Sequence, residues 1–358
     1  MSEMAPASWG HASRHYAEGG VTGIPAKAAG APSPMERRWA ELLEKATPGV
    51  RDTVERTYKQ WNGILRDYMR TETALRLTVG DEAQAVPVRV VAGMPRPFAQ
   101  VIEQFDGLEW LLLNRARVED AQRGSRFMLD NYGSLLGEVP DDAEVAEPEH
   151  LIAVENTAAE LLKLLEKIDA VKRIIGIEED VLGAYFFRVP EIRLYWMVIG
   201  IIASALDVSP EALTIVVLTH ELAHAYTHLG RDIDNEQWDT GAFAGSDLDI
   251  VEGLAQFYTN VICQRLEPRM PGALRAYKAL LEKQSGSYRA HLDWVGGEER
   301  GGEIVRVAMI ECRSQRMTES AKFGQAIDRH RKQVKGREKP VKAQATGAPG
   351  NSGMSGSA

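Results

Sequence analysis

The chain has 358 residues, of which 44% are hydrophobic and 26% charged. That balance belongs to a globular protein and excludes a collagen-like or wholly disordered chain. A net charge of −9 gives a nucleic-acid partner no global electrostatic support, and two cysteines, Cys263 and Cys312, exclude a disulfide scaffold and point to a reducing cytoplasm.

The first residues, MSEMAPASWG, carry Glu3 and no apolar stretch, so no secretory signal is expected. Residues 1–34 are rich in Ala, Gly, Pro and Ser and read as a disordered arm. His11 and His15 lie four apart in it and belong to a polar tail rather than a metal clip. Residues 35–140 read as an N-terminal helical module with a hairpin. In it Val50, Val54, Tyr58, Trp61, Leu65 and Tyr68 recur at spacings of three and four, one face of an amphipathic helix. Pro48-Gly49 separates that helix from a shorter one around Trp39, Leu42 and Leu43. The segments Ala74–Val79 and Val86–Val91, parted by turn residues around Gly80-Asp81, predict the hairpin. Helical material resumes between Phe98 and Leu136.

Residues 140–149 read PDDAEVAEPE, so 141–150 is expected to be an exposed acidic linker and a soft domain boundary. The second domain is read as 151–332. Leu161, Leu162, Leu165, Ile168, Val171 and Ile175 predict one amphipathic helix over Leu151–Ile175. Two short strands flank Pro190, Ala184–Val189 and Ile192–Trp196. The apolar run Leu194–Leu206 has 13 residues, too few to span a bilayer, so no membrane partner is expected. Residues 333–358 form a basic, low-complexity tail, read as solubilising rather than RNA-binding.

The stretch that carries chemistry is IVVLTHELAHAYTHLG, residues 215–230. A helix is expected there, with Ser209 as cap, Pro210 at the first helical position, Glu211 in the first turn and Gly230 at the end. On it His220 and His224 lie one turn apart on one face, placed to share a zinc ion at roughly 2.0–2.1 Å. Glu221 sits beside the first of them, where a carboxylate serves as general base toward a metal-activated water. An extension by G-x-x-H is absent, since Thr227 and Gly230 stand at those positions. A second helix is predicted to begin at Asp249, capped by Ser246 or Asp247 and stopped by Pro268. His228, four residues past His224, reads as a neighbour of the pair rather than a ligand. Cys263 reads as a buried free thiol.

HELAH followed by VEGLAQFY resembles the gluzincin-type zinc metallopeptidases, whose E-G-x-A segment is similar to Glu252–Ala255 here. The resemblance covers roughly residues 180–266. It implies Glu252, 28 residues after His224, as the third zinc ligand, with Asp239, Asp247 and Asp249 as rivals. It also implies a β-strand edge beside the cleft to which a peptide substrate adds, with Ile192–Trp196 as the candidate. Some members carry an aspartate four residues after the glutamate; here Gln256 stands there, an amide able to accept from an imidazole N–H. A donor for the oxyanion is also required, and Tyr258, Tyr288 and His291 have suitable chemistry, with no spacing that selects one. Residues 231–249 hold six acids against Arg231, which either favours basic substrates or makes a solvated loop.

The expected fold is α+β and mainly helical, a zincin-like domain with a small sheet behind an N-terminal helical module. The expected activity is zinc-dependent hydrolysis of a peptide or protein substrate, with the N-terminal module covering the cleft or recruiting a partner protein. Two alternatives stand beside it: a zinc-dependent hydrolase of a non-peptide substrate, and a non-catalytic regulatory or binding protein that retains the fold.

Overall fold

Two amphipathic helices open the structured chain. The computed structural model describes residues 32–77, 86–136, 146–175, 181–284, 286–295 and 298–337. The tail beyond residue 337, residues 141–145 of the acidic linker, the Gly80-Asp81 turn, and residues 1–31 of the arm with His11 and His15 lie outside the described residues.

Helix α1, Pro34–Ala46, begins with a capping box. Ser33 Oγ accepts from the Glu36 amide at 3.1 Å, and Glu36 Oε2 accepts from the Ser33 amide at 2.7 Å. The other oxygen of Glu36 accepts from the Met94 amide at 3.0 Å, so one side chain ties two segments together. Ser33 and Pro34, read as the last residues of the arm, therefore belong to the helix start instead. Helix α2, Val50–Thr73, buries Val50, Val54, Trp61 and Leu65, as its periodicity predicts.

The chain leaves α2 through Ala74, whose φ of 58° is left-handed. Arg76 then pairs with Arg231 in an isolated antiparallel bridge. Strand β1, Val88–Val91, pairs in parallel with a later strand. The expected hairpin does not form between the described parts of its two segments, because the backbone groups of each are taken by partners far along the chain. Four helices follow: α3 Arg96–Ile102, α4 Glu109–Leu113, α5 Arg115–Asp130 and α6 Tyr132–Leu136. The helix expected over Leu151–Ile175 is two, α7 Pro148–Ile168 and α8 Ala170–Ile175, broken at Asp169 with φ 49°.

Strands β2, Gly183–Phe186, and β3, Glu191–Tyr195, form the antiparallel hairpin around Pro190. Their sheet has the order β1-β3-β2. The strand expected at the edge is therefore the central one, since the long-range parallel pairing of Val88–Val91 covers its second side. The strand at the edge of that order on the hairpin side is β2.

Helix α9, Trp196–Leu206, turns by 120° into α10, Pro210–Leu229. After these come α11 Thr240–Ala244, α12 Leu248–Leu266, α13 Pro271–Lys283, a 3-10 segment Gly286–Asp293, α14 Gly301–Ser314 and α15 Ser320–Arg337. The fold is mainly helical with one small three-stranded sheet. Every residue of α10 from Ala212 to His228 is buried, so this helix is the axis of the core. Helices α2, α12 and α13 and strand β2 all pack on it. Trp39, Leu43 and Val54 of the N-terminal half share one apolar core with Met197, Leu213 and Leu254. Gly200 of α9 marks how closely the halves approach: a Cβ there would lie 2.7 Å from Leu43 Cδ2. Among the described residues, no single helix is long and apolar enough to cross a membrane.

The capping box generates a prediction. Two truncations, one starting the chain at residue 32 and the other at residue 35, differ in whether Ser33 remains. The shorter chain is expected to be less stable by roughly 0.5–2 kcal/mol, the usual value of a helix cap. Urea unfolding of both proteins reads the difference, and equal midpoints would remove the cap from the account.

Candidate metal centre

Helix α10 forms for local reasons. Ser209 Oγ accepts from the Ala212 amide at 3.1 Å, and Pro210 occupies the first turn, where its missing N–H costs nothing. Its buried hydroxyls are satisfied inside the helix: Thr214, Thr219 and Thr227 donate to the carbonyls of Pro210, Ile215 and Ala223. Two imidazoles one turn apart then face inward together. His224 Nε2 lies 3.1 Å from His220 Nε2, with the rings edge to face.

Helix α12 brings the third group. Glu252 Oε2 lies 3.3 Å from His220 Nε2 and 3.5 Å from His224 Nε2. All three side chains are buried, Glu252 and His224 being 3% and 2% exposed. Their ligand-type atoms lie within 4.8 Å of one another, the one such buried group of three among the described residues. Two imidazole nitrogens and a carboxylate oxygen converge here. A shared proton satisfies one pair of them, whereas a cation satisfies all three. Burial lowers the His220 pKa, and His224 adds to this against the opposing pull of Glu252. Burial alone would raise the Glu252 carboxyl; the imidazoles facing it outweigh that and hold it below the usual carboxylate range. A metal ion binds imidazole in its neutral form and carboxylate in its ionised form, the residue types that meet here. The residues present can hold a metal ion.

Two contacts place α12. Asp247 precedes its first residue, but the carboxylate accepts from the Ser320 amide and hydroxyl at 2.8 and 2.9 Å, so it ties α12 to α15 instead of capping its own helix. Gly253 lets Trp294 lie directly on the helix next to Glu252, since a Cβ there would stand 2.6 Å from the indole. The glycine of the E-G-L-A segment is thus a requirement of close packing.

The rival aspartates are engaged elsewhere. Asp239 Oδ1 accepts from the Ala242 amide at 2.9 Å and caps α11. Asp249 accepts from Ser287 Oγ at 2.6 Å. His228 is fully buried a turn beyond the pair, with Nδ1 2.9 Å from Tyr185 Oη and Nε2 3.0 Å from Thr240 Oγ1, and it stacks on Phe243. It is a core histidine that joins β2 to α11. Burial, with Arg313 adding and Asp239 opposing, pushes its pKa down to about 3.

The remaining candidates separate by position. Tyr288 lines the cleft and stacks on His220, with ring centroids 6.1 Å apart. Tyr258 turns away, its hydroxyl 3.6 Å from Met309 Sδ. His291 Nε2 lies 2.9 Å from Tyr277 Oη, and burial pushes the ring's pKa down to about 4. Gln256 lines the cleft, and its amide nitrogen donates to Gln284 Oε1 at 3.3 Å. Cys263 is a buried thiol, as expected, with burial pushing its pKa up to about 12.

Glu221 is 2% exposed and lies on the cleft wall beside His220. Opposite it stands Gly183, the first residue of β2. A Cβ on Gly183 would lie 2.9 Å from both Cγ and Oε1 of Glu221. Sequence reading missed this residue; its signal is a glycine opening an apolar strand, a mark of close backbone approach. Val181, Leu280 and Gln284 were missed as well, because they reach the cleft from separate elements. No protein-family model matches the chain, and neither the curated proteins nor the solved structures contain a match to it.

Two predictions follow from this geometry. Glu252→Ala is expected to lose bound metal on dialysis against a weak chelator, while Asp239→Ala, Asp247→Ala, Asp249→Ala and His228→Ala keep it. Metal content by mass spectrometry reads all five, and retention in Glu252→Ala with loss in an aspartate variant would reject the assignment. The second concerns acid. A histidine held near 3 in the folded chain and near 6.5 unfolded takes up its proton on unfolding between those values. Stability from His228 is therefore complete above pH 6.5 and falls toward pH 3. His228→Gln should show a shallower loss of stability from pH 7 to pH 4 in urea titrations.

Proposed function

We propose that the chain is a zinc-dependent hydrolase that cleaves peptide bonds. The observation that carries this reading is the convergence of His220, His224 and Glu252 with Glu221 on the adjoining cleft wall. A set of two histidines and one glutamate suits zinc with one position left open, and a metal that only braced the fold would have no use for a carboxylate at Glu221. Zinc held there supplies Lewis acidity toward a carbonyl oxygen and toward water.

The chain's own residues do the rest. Glu221 takes a proton from the attacking water and delivers it to the leaving amine. Its position against Gly183 orients it, since strand and helix leave the carboxylate little room to turn. Of the three candidate donors, Tyr288 is the one that lines the cleft, and its hydroxyl stabilises the oxyanion as the carbonyl carbon becomes tetrahedral. The cleft offers about 50 Å³ to the centres of water-sized molecules. One buried water needs roughly 10–15 Å³, so there is room for the attacking water and part of a substrate side chain.

Glu221→Gln tests the mechanism. It preserves shape and leaves the three metal-holding residues in place. The expected result is unchanged zinc content and melting, with hydrolysis reduced on the order of 10²–10⁴-fold. Full activity in this variant would remove Glu221 from the reaction. Bound iron in place of zinc would overturn the hydrolase reading, because two histidines and a carboxylate also suit non-haem iron. Cleavage of an ester and amide panel without cleavage of peptides would favour a non-peptide substrate.

A further inference from the structure

The cleft runs away from Glu221 along α10. Val216 and Val217 line it, and they precede His220 and Glu221 by four residues each. On a helix that places them one turn, about 5.4 Å, along the same face. A side chain seated against them therefore belongs to a substrate residue directly flanking the bond presented to Glu221.

The wall around that seat is uncharged. Val181 and Leu182 close it from the strand side, Ile202 from α9 and Leu280 from α13. Its polar members are neutral: Thr259 Oγ1 donates to the Ala255 carbonyl at 2.7 Å, and Gln256 Nε2 donates to Gln284 Oε1 at 3.3 Å. The ionisable side chains on the wall, His220, Glu221 and Tyr288, all belong to the reacting end. The acids of residues 231–249 are absent from the wall. Asp232 accepts from the amides of Asp234 and Glu236, and Asp239, Asp247 and Asp249 are engaged as described. The expectation that this acidic loop selects basic substrates finds no support in the lining.

Resting on the hydrolase reading above, we infer that this seat is a specificity pocket that selects an apolar residue, of the leucine, isoleucine or methionine kind, next to the cleaved bond. A charged side chain placed there gives up its hydration and finds no counter-charge. An aliphatic one gains the apolar wall, and Gln284 at the C-terminal end of α13 is the position where charge preference is set.

The test has two arms. The zinc-loaded full chain is incubated with a proteome-derived peptide library, and the cut sites are mapped by mass spectrometry. Leucine, isoleucine, valine and methionine are expected to be enriched on the order of tenfold over lysine, arginine, aspartate and glutamate at one position flanking the cut. Gln284→Glu keeps an acceptor for Gln256 and adds a negative charge, so it should raise lysine and arginine several-fold at that same position. No bias at either flanking position, a bias toward charged residues, or an unmoved preference in Gln284→Glu would each overturn the pocket. The second arm needs no turnover: saturation-transfer NMR on the metal-free chain compares N-acetyl-leucinamide with N-acetyl-lysinamide. Binding of the leucine amide alone, weakened by Gln284→Glu, supports the pocket even if no peptide is cut, in which case the hydrolase reading alone falls. Equal binding, or none, overturns the pocket.

Discussion

Three acceptor groups buried together set the terms for the rest of this molecule. His220, His224 and Glu252 converge with side chains almost wholly removed from water. Burying a carboxylate among imidazoles is costly, and a cation shared by all three would offset that cost. The arrangement also demands rigidity, because ligand distances tolerate errors of a few tenths of an ångström. Helix α10 provides it by being buried along seventeen consecutive residues from Ala212 to His228, with α2, α12, α13 and β2 packed around it.

The second constraint is that α12 must hold its register on α10 for Glu252 to reach the histidines. Several unrelated contacts serve this one end. Asp247 is held by Ser320, Asp249 by Ser287, and Gly253 receives the indole of Trp294. The 3-10 segment that carries Tyr288 is thereby seated on the helix that carries Glu252. The oxyanion donor proposed here and the third metal-holding residue are thus positioned by the same packing. The opposite wall depends on Gly183, where strand backbone and the Glu221 side chain approach too closely for any Cβ.

The N-terminal half contributes to the site by packing. Leu43 and Val50 reach Gly200 of α9, and α2 lies along α10 itself. Arg76 bridges to Arg231 just past the end of α10, so that end of the helix is braced by a residue remote in sequence.

Much of this was legible in the chain itself. The i and i+4 spacing of His220 and His224, the cap at Ser209, and the amphipathic period of Val50 to Leu65 are local matters, decided within one or two helical turns, and each stands where expected. So does the hairpin around Pro190, whose β-branched and aromatic residues pair across a short connection. What the residues alone left open was decided by contacts between distant segments. The resemblance favours Glu252 over Asp239, Asp247 and Asp249, but only the packing of α12 on α10 brings one of the four to the histidines. Strand β3 is central because Val88–Val91, about a hundred residues earlier, pairs with its second side. Tyr288, Tyr258 and His291 differ in role only through the direction in which each element presents them. The apolar seat beside Glu221 draws on β2, α9, α10, α12 and α13, and no spacing along the chain encodes it. Local hydrogen bonding and periodicity act over a few residues and can be read in order; convergence of side chains in space depends on close packing of the whole core.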